Sequence, residues 1–178
     1  MLSATEAVAR ILARVPRLPA EVVRLDEAYG RVLAHDVVAL VDVPPWDNSA
    51  VDGYAVLASD FTGKTAELRV LEVVTAGRVG TKPVVSGTAT AVMTGAPIPD
   101  GADAMVMVED TDGGADIVRI TGRPGQHIRR RGEDTQAGAT ILVAGTLLSA
   151  PKVGYAAAVG HATSDLLGQL EVRGAHRG

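Results

Sequence analysis

The chain has no cysteine among its 178 residues, and aromatic residues make up only 3% of it. The absence of cysteine excludes disulfide bonds, thiolate-bound zinc, iron–sulfur clusters and a cysteine nucleophile. A membrane-spanning helix needs roughly 20 consecutive apolar residues, and the sequence contains no such stretch. Its first residues also lack the basic start and the apolar run of a signal peptide. We therefore expect a cytoplasmic protein with no membrane partner.

Neither sign of charge is in large excess, because 17 lysine and arginine residues stand against 21 aspartate and glutamate residues. A net charge of −4 gives no long-range attraction to nucleic acid, so we expect no nucleic-acid partner. Glycine and proline are frequent, at 20 and 9 residues, and they divide the chain into short elements. The pairs of valine between them favour β-strands.

Two helices are predicted near the ends of the chain, and a third, short helix is predicted from Glu27 to Leu33, with Asp26 as its cap and Gly30 interrupting it. Ser3 and Glu6 form the pattern of a capping box at the start of the first helix. Ser149 suits the N-cap of the second helix, with Pro151 in its first turn. After a proline pair at 44–45, helical periodicity gives way to short strand patterns separated by turn signals. These predicted strands are Gly53–Leu57, Leu68–Thr75, Ala89–Met93, Ala104–Glu109 and Asp116–Ile120.

The order of these elements predicts an α+β fold, in which a strand-rich β domain is inserted into a discontinuous α/β domain with terminal helices. Near the end of the chain, Leu170–Val172 can form a strand, but no partner strand follows it in the sequence. The predicted ranges are 1–41 and 129–160 for the discontinuous domain, 42–128 for the inserted β domain, and 161–178 for a weakly patterned tail.

The densest polar segment is 47–54, which reads Asp-Asn-Ser-Ala-Val-Asp-Gly-Tyr. Its Asp52 precedes Gly53, a residue that lets backbone or ligand approach closely. A carboxylate on a rigid loop can bind Mg²⁺ or accept a proton. The residue types alone favour the alternative that these polar side chains only shape turns.

A second segment, 93–103, runs from a predicted strand into a loop stiffened by two prolines. Thr94 lies at the strand end, where its hydroxyl and the Gly95 N–H can meet an oxyanion. The alternative is a rigid hairpin connection.

Three consecutive arginines, Arg129 to Arg131, stand out in a chain of negative net charge. In an extended segment, Arg129 and Arg131 share one face. Their guanidinium groups suit phosphate or another tetrahedral anion such as molybdate. Glu133 and Asp134 can hold a cation or orient an arginine. The residue types leave an internal salt-bridge cluster at the domain hinge equally open.

Three segments therefore carry the candidate chemistry, and we call them the first (42–56), second (93–99) and third (128–134) motif segments. Together and in this order, they resemble the molybdopterin molybdenumtransferase family, that is, MoeA and the gephyrin E domain. The resemblance runs from near Met1 to about Gly160. It implies the last step of molybdenum cofactor biosynthesis, in which adenylylated molybdopterin and molybdate react with Mg²⁺ to give the cofactor and AMP.

The resemblance also implies roles for particular residues, matched by position in the motifs. Asp52, Thr94 and Asp134 correspond to catalytic positions, and Asp52 and Asp134 to ligands of Mg²⁺. The implied substrate or anion contacts are Arg129, Arg131, Ser49 and Gly95.

Members of this family continue into a further α/β domain with a pterin-nucleotide pocket and a Thr-Gly-Asp-Glu type segment, which this sequence lacks. In the family, the site forms between the N-terminal β domain of one subunit and that further domain of its partner in a homodimer. We therefore expect an N-terminal portion of the enzyme that supplies half of a site and is inactive alone. The alternative is a non-catalytic scaffold or anion-binding module that retains the family fold.

Overall fold

A computed structural model describes residues 2–16, 18–63, 65–161 and 169–173. It confirms the predicted mixture of helices and strands, with strands predominating. The short helix predicted over 27–33 is wrong, because Gly30 turns the chain at a φ of +75° and Val32–Leu33 forms a strand. Among the described residues, no helix is long and apolar enough to cross a membrane. In chain order the elements are α1 (Ala4–Leu12), β1 (Glu21–Arg24), β2 (Val32–Leu33), β3 (Val37–Val38), β4 (Asn48–Ser49), β5 (Gly53–Val56), β6 (Ala66–Val74), β7 (Thr88–Val92), β8 (Ala104–Met107), β9 (Ile117–Ile120), β10 (Ile128–Arg129), β11 (Thr140–Leu142), α2 (Ala150–Ala156) and β12 (Gln169–Arg173).

The described residues fall into two compact units. The first combines the residues up to Val41 with those from Ala137 onwards, and the second runs from Asp42 to Gln136. The boundary predicted between 128 and 129 instead falls inside β10. Because β10 pairs with β4, residues 129–136 group with the second unit.

The first unit contains a three-stranded antiparallel sheet in the order β1-β12-β2 and a separate antiparallel pair, β11 and β3. Strand β12 lies in the region predicted as a tail, and it pairs with two strands that precede it in the sequence. The prediction of a tail is therefore corrected for 169–173, while 162–168 and 174–178 lie outside the described residues. The core of this unit is aliphatic and comprises Val23, Leu25, Ala28, Leu33, Val37, Leu148, Ala156 and Val172.

The second unit is built on a five-stranded sheet in the order β8-β5-β7-β6-β9. The five strands predicted in this region correspond to β5–β9. Strands β6 and β7 are parallel, and the other neighbours are antiparallel. Every residue of β5 and β7 is buried, because apolar side chains cover both faces of the sheet.

The motif segments pack on one of these two faces. Its buried cluster joins Ala55 and Met105 of the sheet to Ala96 of the second motif segment and Ile128 of the third. Val51 of the first motif segment packs against the same cluster. This apolar anchorage fixes the polar residues of the three segments on a common support.

Candidate functional site

Strand β4 brings the three motif segments together, although it is only two residues long. On one side, Asn48 is paired with Arg129, and Ser49 with Ile128. On the other side, the Ser49 N–H donates to the Ala96 carbonyl at 3.0 Å, and the Gly95 N–H donates to the Ser49 carbonyl at 2.8 Å. The first and third motif segments thus meet at one strand, although residues such as Asp47 and Arg130 are more than 80 positions apart in the sequence.

Asp52 is an exposed carboxylate held in a fixed orientation by Thr94. Its Oδ1 accepts the Thr94 N–H at 2.7 Å and the Thr94 hydroxyl at 2.7 Å. These two hydrogen bonds, the backbone one foremost, hold the pKa of the Asp52 carboxyl below its ordinary value. Asp52 is therefore ionised at neutral pH, and it can bind a cation or accept a proton. The structure thus pairs two of the predicted site residues directly.

Asp134 and Arg129 form a second pair, joined by an ion pair between Oδ2 and a guanidinium nitrogen. The hydrogen bond to Asp134 raises the pKa of Arg129 above its ordinary value. The backbone around Asp134 is fixed as well, because the Asp134 N–H donates to the Val43 carbonyl at 2.9 Å. Gly132 has a φ of +69°, so it makes the preceding turn at little conformational cost.

The remaining two arginines of the third motif segment are also matched by carboxylates. Arg130 Nη1 donates to Asp47 Oδ2 at 2.6 Å, and Arg131 Nε donates to Asp42 Oδ2 at 2.5 Å. All three guanidinium groups therefore take part in a salt-bridge cluster, which is one of the two arrangements that the sequence left open. The side chains of Arg130 and Arg131 are 62% and 69% exposed, so their remaining N–H groups can still meet solvent or a ligand.

Asp47 makes more of these connections than the sequence indicated. Its Oδ1 accepts the Arg131 N–H at 2.8 Å, and its carbonyl accepts the Ile98 N–H at 3.0 Å. The bonds from Arg131 and Arg130 hold the pKa of the Asp47 carboxyl below its ordinary value. Sequence reasoning treated Asp47 only as a turn residue and left Asp42 out. The available signal was the run of three arginines, because carboxylates are the groups that guanidinium pairs with most strongly in proteins.

Ser49 and Gly95, which the resemblance predicts as anion contacts, form hydrogen bonds with the backbone around β4. Ser49 is buried, at 1% exposure, and its hydroxyl donates to the Val51 carbonyl at 2.5 Å. The Gly95 N–H is used by Ser49, and the residue has a φ of +81°. In this structure Ser49 belongs to β4, and Gly95 belongs to the loop that is hydrogen-bonded to it.

The donors around Asp52 and Asp134 do not make a complete metal cage. Within the described part of the chain, no group of three or more histidine, aspartate or glutamate side chains is arranged to hold a metal ion. Mg²⁺ is commonly held by one or two carboxylates, with water and substrate phosphate filling the other positions. Asp52 fits that pattern, because both of its hydrogen bonds end on Oδ1. Asp134 fits it less well, because its Oδ2 is paired with Arg129.

Known proteins resemble this chain over most of its length. A family profile described as "MoeA N-terminal region (domain I and II)" matches residues 2–160. The chain is 47% identical over 156 residues to molybdopterin molybdenumtransferase 2 of Mycobacterium tuberculosis. It is 40% identical over 170 residues to the molybdopterin molybdenumtransferase of Synechococcus elongatus. The chain therefore belongs to the MoeA family, and the resemblance inferred from the motif segments is confirmed.

A solved structure shows the same fold. The crystal structure of the molybdopterin biosynthesis moeA protein from Pyrococcus horikoshii OT3 matches with a TM-score of 0.85 and 37% identity. The match covers 97% of this chain but 46% of that chain. The two curated relatives are matched over 84% and 90% of this chain, and over 38% and 42% of their own lengths. The chain thus spans less than half the length of these relatives.

Proposed function

We propose that the chain is the N-terminal portion of a molybdopterin molybdotransferase in molybdenum cofactor biosynthesis. The proposed reaction inserts molybdate into adenylylated molybdopterin and releases AMP. The observation that carries this proposal is the meeting of the three motif segments at β4, in a unit that also presents an exposed, ionised Asp52 oriented by Thr94.

The proposed chemistry calls for positioned charge more than for a strong nucleophile. An oxyanion has to approach a dithiolene while a phosphoanhydride bond breaks, so negative charge must be neutralised and the reactants held in place. In this proposal, Asp52, Thr94 and Asp134 form the catalytic group. Arg129 and Arg131 contact the anion through N–H groups that their acidic partners leave to solvent.

Mg²⁺ is the cofactor that we propose for this site. Asp52 would hold the ion through its carboxylate, together with substrate phosphate and water. Asp134 would be a second ligand of the ion only if its carboxylate bound both Arg129 and the ion. When bound, the ion supplies charge neutralisation at the phosphoanhydride. Thr94 would keep the Asp52 carboxylate in one orientation, because it donates two bonds to the same oxygen.

We further propose that this chain supplies one half of the site. The other half would come from the part of the relatives that the chain does not match, carried by a second subunit of a cytoplasmic homodimer. On its own, the chain would then bind molybdate weakly and turn over little or no substrate.

Reconstitution tests the proposed function. The unmatched C-terminal part of the Pyrococcus horikoshii protein is added to the chain, and molybdenum cofactor and AMP are measured with adenylylated molybdopterin, molybdate and Mg²⁺. We expect product from the mixture and little from the chain alone. Asp52→Asn should abolish most of the product. Asp103→Asn is the matched control, because that carboxylate accepts a backbone N–H from Ala58 at 2.7 Å outside the motif segments.

One observation favours a second candidate, a non-catalytic scaffold or anion-binding module. The three arginines are already matched by Asp42, Asp47 and Asp134, as they would be in a purely structural cluster. Calorimetric titration with molybdate and with phosphate distinguishes an anion-binding module from a scaffold. Equal binding of both anions favours a general anion-binding module, and an absence of heat from either favours a scaffold. Either a failure of reconstitution or an Asp52→Asn variant that gives as much product as the wild-type chain would refute the enzymatic proposal.

A further inference from the structure

Asp47 is bonded to both of the other motif segments. We propose that it is a positioning residue of the site: it holds the turn at Arg130 and Arg131 so that Arg129 and Asp134 stay next to β4. This inference rests on the proposed function, because a positioning role presupposes a site to position. It assigns to Asp47 a task that its sequence, which indicated only a turn residue, did not predict.

The carboxylate of Asp47 grips two consecutive residues at once. Oδ1 accepts the Arg131 N–H at 2.8 Å, and Oδ2 accepts Arg130 Nη1 at 2.6 Å. One bond fixes the backbone of the turn, and the other fixes a side chain on it. Hydrogen bonds to an ionised carboxylate are short and about twice as strong as neutral ones. The pair of bonds therefore restrains the turn in both position and rotation.

The backbone of Asp47 is restrained from the other side. Its carbonyl accepts the Ile98 N–H at 3.0 Å, and the next residue, Asn48, starts β4 opposite Arg129. Asp47 is thus fixed to the second motif segment while its side chain holds the third. Because Asp47 is bonded to both segments, the loop after β7 and the turn at Arg130 and Arg131 keep a fixed position relative to each other.

Apart from Asp47, the turn is held at its two ends and by two further carboxylates: Asp42 accepts Arg131 Nε at 2.5 Å, and Glu133 accepts the Arg130 N–H at 2.8 Å. Before the turn, β10 pairs with β4. After it, the Gly132 N–H donates to the Pro44 carbonyl at 2.9 Å, and the Asp134 N–H donates to the Val43 carbonyl at 2.9 Å. The carboxylate of Asp47 acts between these ends. Its loss should loosen the turn without unfolding the sheet that supports it.

Asp60 offers a matched control elsewhere in the same unit. Its carboxylate also accepts bonds from two consecutive residues, the Ser86 hydroxyl at 2.7 Å and the Gly87 N–H at 2.9 Å. These residues lie outside the three motif segments. Asp60→Asn therefore removes the same kind of carboxylate grip and leaves the proposed site untouched.

The test compares the full chain with its Asp47→Asn and Asp60→Asn variants by ¹⁵N NMR. Amide hydrogen exchange reports on the turn, and titration with sodium molybdate, followed at the Thr94 and Arg129 amides, reports on the site. In Asp47→Asn we expect exchange at Arg131 to become about tenfold faster or more, since hydrogen bonds to charged groups are worth more than one factor of ten in equilibrium. We expect the molybdate Kd to rise severalfold. In Asp60→Asn we expect faster amide exchange at Gly87 instead of at Arg131, and a molybdate Kd equal to that of the wild-type chain.

Each outcome decides the proposal. Unchanged exchange from Arg130 to Asp134 in Asp47→Asn overturns it, and so does a molybdate Kd that rises equally in both variants. If the wild-type chain gives no response to molybdate while Asp47→Asn still loosens the turn, the proposed anion site fails and Asp47 is only a structural clasp. If Asp47→Asn does not fold, Arg130→Gln takes its place, because it removes the Nη1 bond and keeps the backbone bond. A wild-type Kd in that variant overturns the proposal as well.

Discussion

The residue after Asp52 is a glycine because no side chain fits at that position. A Cβ added at Gly53 would lie 1.9 Å from the Val106 carbonyl oxygen, so β5 and β8 approach each other more closely than any side chain permits. The Asp52 carbonyl continues the contact, since it accepts the Val108 N–H at 3.0 Å. The position of Asp52 thus depends on the absence of a Cβ atom at Gly53.

Gly53→Ala should therefore destabilise the protein. The strands would have to separate to admit the methyl group, and overpacking of this kind costs about 1–3 kcal/mol. The measurement is the free energy of unfolding in urea. Gly63→Ala is the control, because an added Cβ there meets nothing within 4 Å. A Gly53→Ala variant as stable as Gly63→Ala would contradict the close approach of the two strands.

Among the elements, α1 combines a complete capping box with an absence of buried residues. The Ser3 hydroxyl accepts the Glu6 N–H at 3.2 Å, and the Glu6 carboxylate accepts the Ser3 N–H at 2.8 Å. These reciprocal bonds form the predicted capping box. None of the helix's residues is buried, so the capping bonds contribute a large share of the stability of α1.

Ser3→Ala should loosen α1 without changing global stability. Loss of an N-cap serine costs about 0.5–2 kcal/mol, and a helix without buried residues can open locally. We expect faster amide exchange from Glu6 onwards and an unchanged urea midpoint. Glu6→Gln should have a smaller effect, because glutamine can keep the reciprocal bond. A lowered midpoint in Ser3→Ala would show that α1 is coupled to the rest of its unit.

The elements also show what the sequence could and could not predict. The capping box and the five strands β5–β9 carry local signals, namely spacing, valine content and turn residues, and their predicted positions match the structure. The two-residue strands β4 and β10 carry none, because their pairing is fixed only when the apolar faces of Ala96 and Ile128 pack on the sheet. The same holds for the partners of the arginines. Which carboxylate meets Arg130 depends on the fold, and the sequence offered several candidates.

At the scale of the whole molecule, depressed carboxyl pKa values link stability to pH. Asp47, Asp52, Glu72 and Asp112 all have pKa values below their ordinary ones, each with a backbone N–H bond as its first cause. A carboxyl whose pKa is lower in the folded chain than in the unfolded chain stabilises the fold above the unfolded pKa. That contribution is lost as the pH falls through the folded pKa.

Stability should therefore be level near neutral pH and should fall below about pH 4, where unfolded aspartates and glutamates begin to bind protons. The measurement is the urea midpoint as a function of pH. Asp112→Asn should flatten the acid part of this curve, because Asp112 Oδ1 accepts the Arg119 N–H at 3.0 Å and the Gly114 N–H at 3.1 Å. Stability that rises on acidification would contradict the direction of these pKa shifts.

The central place of β12 has a practical consequence for handling this protein. The family match ends at residue 160, which invites a shortened version of the chain that stops there. Such a version would lack the strand between β1 and β2 and would leave two bare hydrogen-bonding edges, the feature through which strands of separate molecules pair and precipitate. We expect a chain ending at His161 to form soluble aggregates in light scattering, whereas one retaining Arg173 stays dispersed.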